Sequence, residues 1–172
     1  MPEPRITVAA IAEDTGRFLL VEESIGGRRL FNQPAGHVEA EETLVAAVVR
    51  EAREESAWRF EPQDLVNVYL WRNPAGDSLF LRFAFCGVVS DHDAAQPLDE
   101  GIVRTHWLTL AELRQQAPRL RSPLVLRCVA DYLSGARRGL GAVADLTREA
   151  VAASLAADGR TCAAGPVTVV AP

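Results

Sequence analysis

Gly36-His37-Val38-Glu39-Ala40-Glu41-Glu42-Thr43-Leu44-Val45-Ala46-Ala47-Val48-Val49-Arg50-Glu51-Ala52-Arg53-Glu54-Glu55-Ser56-Ala57-Trp58 is the stretch that decides the fold. From Glu42 to Ser56 it holds no glycine or proline and is rich in good helix formers, so a helix is predicted over Glu42–Ser56. With Glu51 set at zero on a helical projection, Leu44 and Ala47 fall at about +20° and −40°. Glu54 and Glu55 fall at about −60° and +40°. Val45, Val48, Val49 and Ala52 widen the apolar sector to about +160°, leaving Ala46, Arg50 and Arg53 on the remaining side. The apolar stripe therefore runs into three carboxylates. Three such groups within one turn repel, and burying them without a partner is costly. A hard divalent cation removes both problems, because oxygen ligands suit Mg²⁺ or Mn²⁺. The plainer reading is a solvated acidic helix end with pairs such as Arg50–Glu54, and the angular placement weighs against it.

Outward from this helix, the chain reads as α/β. Ile6–Ala12 and Arg17–Glu23 are short apolar runs joined by Glu13-Asp14-Thr15-Gly16, a hairpin pattern. Glu22 and Glu23 close the second run and read as solvated. Leu30–Ala35 is cut by Pro34 and Gly36. Leu65–Arg72, Leu79–Ser90 and Ile102–Leu108 read as strands, with a turn at Asn73-Pro74-Ala75-Gly76-Asp77. Alternation along Leu79–Ser90 puts Leu79, Leu81, Phe83 and Phe85 on one face and Phe80, Arg82 and Ala84 on the other. Thr109-Leu110-Ala111-Glu112 is a capping box opening a short helix. Ser122 as N-cap and Pro123 at the first position open another, which Gly135 stops. The expected organisation is a domain over residues 1–138 and an Ala/Gly-rich extension over 139–172. In that extension Asp145–Ala157 reads as a helix and Val167–Val170 as an edge strand.

The 172 residues, 48% hydrophobic and 24% charged, suit one globular domain. Eighteen basic residues, all arginine, stand against 23 acidic ones for a net charge of −5, which leaves no electrostatic footprint for a nucleic acid. Cys86, Cys128 and Cys162 show no CxxC spacing, and His37, His92 and His106 are scattered, so neither a disulfide framework nor a structural zinc site is expected. The uncharged run Ile6–Ala12 is too short for a signal segment, and no apolar stretch is long enough to span a membrane. The expectation is a soluble cytoplasmic protein with no nucleic-acid or membrane partner.

The opening stretch resembles the Nudix box. That pattern is Gly, five residues, Glu, seven residues, Arg-Glu, a hydrophobe, any residue, Glu-Glu, any residue, Gly and a hydrophobe. Gly36, Glu42, Arg50, Glu51, Ala52, Glu54, Glu55 and Trp58 stand at matching positions. The departure is Ala57, where the pattern has a glycine that lets the chain leave the helix. Within that family, Phe31–Leu44 and Leu120–Leu124 are similar to the NudJ-type bacterial phosphatases. The resemblance implies an α/β/α sandwich around a mixed β-sheet and hydrolysis of a phosphoanhydride with Mg²⁺ or Mn²⁺. By position it implies that Glu51, Glu54, Glu55, the Ala35 carbonyl and a later acid hold the metal. For that acid Glu100 is preferred to Asp99. Arg50 would orient the glutamates, Glu54 would serve as base, and Gly36 and Glu42 would hold the loop–helix geometry.

The NudJ-type likeness further implies release of terminal phosphate from nucleoside di- and triphosphates or from hydroxymethylpyrimidine diphosphate. Phe31 and Trp71 are candidates to stack the ring, with a core place for each as the alternative. Gln33, with Asn32, would read ring edges or else satisfy a turn, and Arg82 would clamp phosphate. Two other readings stay open. One is a pyrophosphohydrolase of ADP-ribose or another nucleoside diphosphate derivative, for which Pro74 stands at a suggestive place that a turn also explains. The other is a Nudix-fold binding module without catalysis, against which all the box acids are present. Monomer and homodimer are not distinguished.

Overall fold

The computed structural model describes residues 3–76 and 78–144. Strand β1 (Arg5–Asp14) is buried from Thr7 to Ala12 without a break. A strand covered on both faces needs a continuous apolar run, which Val8-Ala9-Ala10-Ile11-Ala12 supplies. It pairs in parallel with β6 (Leu79–Ser90), Ala9 opposite Ala84. The long β5 (Arg59–Arg72) runs antiparallel along β6, and β8 (Arg138–Gly139) pairs with its far side. On the other side of the molecule β2 (Arg17–Ile25) lies between β3 (Arg28–Asn32) and β7 (Ile102–Thr109).

The expected hairpin exists only at its tip, where Glu13 pairs with Phe18 and Asp14 with Arg17. Beyond it the two strands take other partners. The segment around Pro34 crosses from one to the other: β3 stays with β2, while β4 (Ala35–His37) pairs with β1. Ala10 N–H donates to Pro34 O at 2.9 Å, securing the crossing. Proline, which breaks the strand, thus stands where the backbone changes neighbour.

Helix α1 (Leu44–Ser56) covers one sheet face, packing Ala47, Val48 and Ala52 on Val8, Ala10, Leu19, Leu65 and Phe85. Helices α2 (Leu110–Gln115) and α3 (Leu124–Leu133) cover the other, setting Leu113, Val125, Cys128 and Val129 on Ala9, Ile11, Leu20, Val66 and Ala84. The architecture is the α/β/α sandwich around a mixed sheet that the resemblance implied.

Several boundaries differ from the sequence reading for local reasons. Thr43 Oγ1 accepts from Ala46 N–H, so α1 starts at Leu44 and Glu42 stays outside it. Strand β5 begins at Arg59, because register shifts at Pro62/Asp64 and Leu65/Asn67 break the alternation that marks a strand. The Thr109–Glu112 capping box is present. Ser122 does not cap α3, which begins at Leu124 without a side-chain cap. Ala57 leaves α1 in the left-handed region at φ 58°, as a glycine would. That conformation costs an alanine about 1–2 kcal/mol. Ala57 N–H donates to Arg53 O, and Arg53 Nη1 donates back to Ala57 O at 2.9 Å, which offsets the cost. Leu140 and Val143 pack against the α1-side core. The predicted helix Asp145–Ala157 and strand Val167–Val170 lie outside the described residues.

Glu22, like Glu23, is buried, contrary to the reading of both as solvated, because β2 has a strand on each side. Its carboxylate lies 3.0 Å from His106 Nε2 and accepts from Arg104 Nε at 2.9 Å and Arg119 Nη2 at 3.1 Å. Burial alone would raise its pKa, but the bonds from His106 and Arg104 hold it down to about 2. A depressed carboxyl stabilises the fold above its ordinary pKa, and that stability is lost as pH falls toward the folded value. Glu22→Gln is therefore expected to cost about 2 kcal/mol at pH 7, allowing for the exposed Arg104. It should also flatten the fall in stability between pH 4.5 and about 2. Urea melts of both proteins across that range check it.

Candidate active site

Arg50 is the hub of the acidic helix end. Its Nε and Nη2 grip Glu42 at 3.1 and 2.7 Å, and Nη2 also reaches His37 O at 3.0 Å. Its Nη1 donates to Glu51 and Glu54, each at 2.9 Å. Glu42 Oε1 accepts from Glu39 N–H at 2.7 Å, closing the loop onto the helix. Arg50 holds the Glu42 carboxyl below the usual range. One guanidinium with five donors thus ties three glutamates and a loop carbonyl together.

Glu55, and Glu51 on its other side, meet the crossing strand. Glu55 Oε2 accepts from Ala35 N–H at 2.8 Å. Gly36 lies against Glu51, whose carboxylate occupies the space a β-carbon would fill. Burial pushes Glu55 up to about 8; the Ala35 N–H opposes this, and the nearby carboxylates of Glu23, Glu51 and Asp99 add to it. Glu51 is raised by burial too, with Arg50 opposing. Asp99 N–H donates to Glu54 O at 3.1 Å and Ser24 N–H to Gly101 O at 2.7 Å, so the 99–101 loop is stitched between α1 and β2.

This donor set has the chemistry a divalent cation takes: Glu51 and Glu55 are buried together, held above their ordinary pKa and set against the backbone of β4. Among the described residues no three His, Cys, Asp or Glu side chains converge at ligand spacing. Arg50 draws Glu51 and Glu54 to itself, and Ala35 N–H holds Glu55.

Beside the carboxylates opens a cavity of about 280 Å³. The strands contribute Thr7, Glu23, Asn32, Ala35, Gly36, Trp71, Phe80 and Arg82; the entry to α3 contributes Arg121, Ser122 and Leu124; Glu55 of α1 and Glu100 complete the lining named here. Trp71 stacks on Phe80 with ring centroids 5.6 Å apart. Of the sequence candidates, Asn32, Ala35, Gly36, Glu55, Trp71, Arg82 and Glu100 therefore meet at one place.

Phe31 and Gln33 do not line it. Phe31 is buried edge-on to His106 and beneath Arg119, and Gln33 Nε2 donates to Val125 O at 2.8 Å, fastening α3 to the crossing segment. Thr7, Ser122, Arg121 and Glu23 were not singled out for this site in the sequence. They come from three separate segments, β1, β2 and the stretch before α3, and no spacing along the chain announces them.

The NUDIX domain family matches residues 1–127. The chain belongs to the Nudix family. Phosphatase NudJ of Escherichia coli strain K12 is 41% identical over 145 residues, 84% of this chain and 94% of that protein. Phosphatase NudJ of Shigella flexneri matches to the same extent. A NUDIX hydrolase structure from Nitrosomonas europaea is 38% identical, covers 85% of this chain and 99% of its own, and superimposes with a TM-score of 0.83. The NUDIX domain of Shewanella oneidensis NrtR complexed with ADP ribose, at 17% identity, TM-score 0.62 and coverage of 77% of this chain and 90% of that one, shares the fold alone. The chain is a Nudix hydrolase, an enzyme of phosphoanhydrides, and Nudix hydrolases generally use divalent metal ions. No described helix is long and apolar enough to cross a membrane.

Arg50→Lys is expected to lower turnover of this Nudix enzyme by about 10–100-fold, because an ammonium cannot reproduce the fork to Glu42 while holding Glu51 and Glu54. Metal titrations of activity should show weaker apparent metal binding in the same variant.

Proposed function

We propose that the enzyme uses Mg²⁺ or Mn²⁺ to release the terminal phosphate of a nucleoside di- or triphosphate, or of a pyrimidine diphosphate such as hydroxymethylpyrimidine diphosphate. The observation that carries the chemistry is the buried acid pair Glu51 and Glu55, raised in pKa, beside a cavity that also holds an arginine and an indole. The likeness to the phosphatases named NudJ favours release of inorganic phosphate over cleavage of an internal bond.

Glu51, Glu54, Glu55 and the Ala35 carbonyl would hold the metal. A later acid joins them. Glu100 lines the cavity, while Asp99 is the one whose charge acts on both Glu51 and Glu55, so Asp99 enters the set beside Glu100. When bound, the divalent ion would neutralise phosphate charge and lower the pKa of a coordinated water. Glu54, with a side chain 39% exposed against 10% for Glu51, is the glutamate more open to a water and would accept its proton. Arg50 fixes the orientation of Glu54 and Glu51, and Gly36 lets Glu51 approach the loop. Trp71 offers a ring face at the cavity, and Arg82 offers guanidinium donors to phosphate. Phe31 and Gln33 serve instead to position the elements around it. This chemistry belongs to residues 1–138, with 139–172 as an extension, and the enzyme acts in the cytoplasm as a monomer or homodimer.

The test is a hydrolysis panel with Mg²⁺: hydroxymethylpyrimidine diphosphate, nucleoside di- and triphosphates, and ADP-ribose. Direct release of inorganic phosphate from the first two groups is expected. Phosphate seen only after pyrophosphatase is added moves the cut to an internal bond. AMP from ADP-ribose alone replaces this reading with a pyrophosphohydrolase of that substrate.

A further inference from the structure

Thr7 Oγ1, Asn32 Oδ1, Arg82 Nε and Nη1, and Ser122 Oγ are buried and have no hydrogen-bond partner. Their residues are 4%, 4%, 8% and 8% exposed, and all four line the one cavity. Among the described residues only Gln33 carries another such atom. Buried polar atoms are rarely left unsatisfied, and a buried guanidinium with two of its nitrogens unbonded is a costly case. Four in one place mark a site shaped for a ligand that supplies the partners.

The chemistry of that ligand follows from the set. Arg82 stands opposite Thr7 on the paired strands β6 and β1. Ser122 precedes α3, a ten-residue helix with no side-chain cap, whose N-terminus adds partial positive charge. The other cavity arginine, Arg121, is already engaged with Glu23 at 3.3 Å. Guanidinium donors, two hydroxyls and a helix N-terminus call for an anion with several oxygens. Asn32 adds a condition. Its Nδ2 donates to Glu23 at 2.8 Å, which fixes the amide orientation and leaves Oδ1 as an acceptor only. The anion must therefore carry one proton, as hydrogen phosphate does and sulfate does not.

We propose that this part of the cavity, beside the carboxylates of Glu23, Glu55 and Glu100 that share its lining, is an anion subsite that holds a phosphate group through Arg82, Thr7, Ser122 and the start of α3. It binds free inorganic phosphate without a divalent cation and discriminates against sulfate through Asn32. That the phosphate is a substrate's or product's rests on the hydrolase reading above; its binding does not.

The experiment uses the full chain in EDTA, with inorganic phosphate and sulfate titrated at equal ionic strength by calorimetry and thermal melting. Phosphate is expected to bind at one site and raise the melting temperature, with sulfate at least about tenfold weaker. Arg82→Met should abolish phosphate binding, yet melt no lower than wild type in phosphate-free buffer, because it removes a buried charge with two unbonded nitrogens. Ser122→Ala should weaken phosphate by about tenfold and guards against a folding defect in the first variant. No phosphate binding in EDTA, or equal binding by wild type and Arg82→Met, overturns the subsite. Sulfate binding as tightly as phosphate overturns the role of Asn32. Metal-dependent phosphate release without phosphate binding in EDTA sinks this proposal and leaves the hydrolase reading standing. Phosphate binding lost in Arg82→Met, with no substrate releasing phosphate, keeps the subsite and sinks that reading.

Discussion

Glu55→Gln is expected to reduce metal-dependent turnover by about 10³-fold or more while leaving the fold intact. The activity loss follows if the variant removes a proposed charged ligand where a divalent ion would supply several kcal/mol of charge stabilisation. The fold survives because glutamine matches the shape of the protonated acid, and its carbonyl oxygen still accepts from Ala35 N–H. Glu55 is raised to about 8 in the ion-free protein, mainly by burial. A raised carboxyl contributes stability below its ordinary pKa and loses it as pH climbs through the folded value. Ion-free wild type should thus lose stability between pH 4.5 and about 8, and Glu55→Gln should lack that slope. Melting temperature against pH in EDTA, with turnover in Mg²⁺, separates the two effects. Turnover that survives in both Glu54→Gln and Glu55→Gln would remove the proposed metal site.

Gly36→Ala is expected to cut turnover by about 100-fold with a change in stability below about 1 kcal/mol. The backbone at Gly36 is not in the left-handed region, so alanine is conformationally allowed. What stands in the way of its β-carbon is the Glu51 carboxylate, the far end of a flexible side chain. The carboxylate moves, the strand pairing of Gly36 with Val8 stays, and the ligand geometry is lost. At Gly87 the obstacle is instead the Glu61 backbone, a need of the β5–β6 pairing and not of the site. Apparent metal affinity from activity titrations, set against thermal melts, decides the matter. Unchanged metal affinity in Gly36→Ala would mean that Glu51 is not a ligand.

Much of the site was readable because its core is local. Glu51, Glu54 and Glu55 lie within two turns of Arg50, and helical periodicity alone put them beside the packing face. Glu51 and Glu55 are buried there as that projection required. Alternation on β6 likewise set Arg82 on the face with Phe80 and Ala84, away from α1. Phe31 and Gln33 show the limit. Both flank the crossing at Pro34, and which way each side chain points depends on β3 pairing with β2 while β4 pairs with β1. Nothing in their neighbours along the chain carries that information.

The sequence by itself determined the family, the helix α1 with its acids, the capping box on α2 and the face on which Arg82 lies. Each rests on periods of a few residues, where backbone geometry dictates direction. Only the tertiary structure decided that Glu22 is buried among His106, Arg104 and Arg119, and that Ser122 is buried without capping α3. It alone brought Thr7, Asn32, Arg82 and Ser122 to one cavity. Those four residues reach one another through the parallel pairing of β1 with β6, the crossing at Pro34 and the docking of α3. These are contacts between distant segments, selected by burial of the whole sheet and left unmarked in any short stretch of the chain.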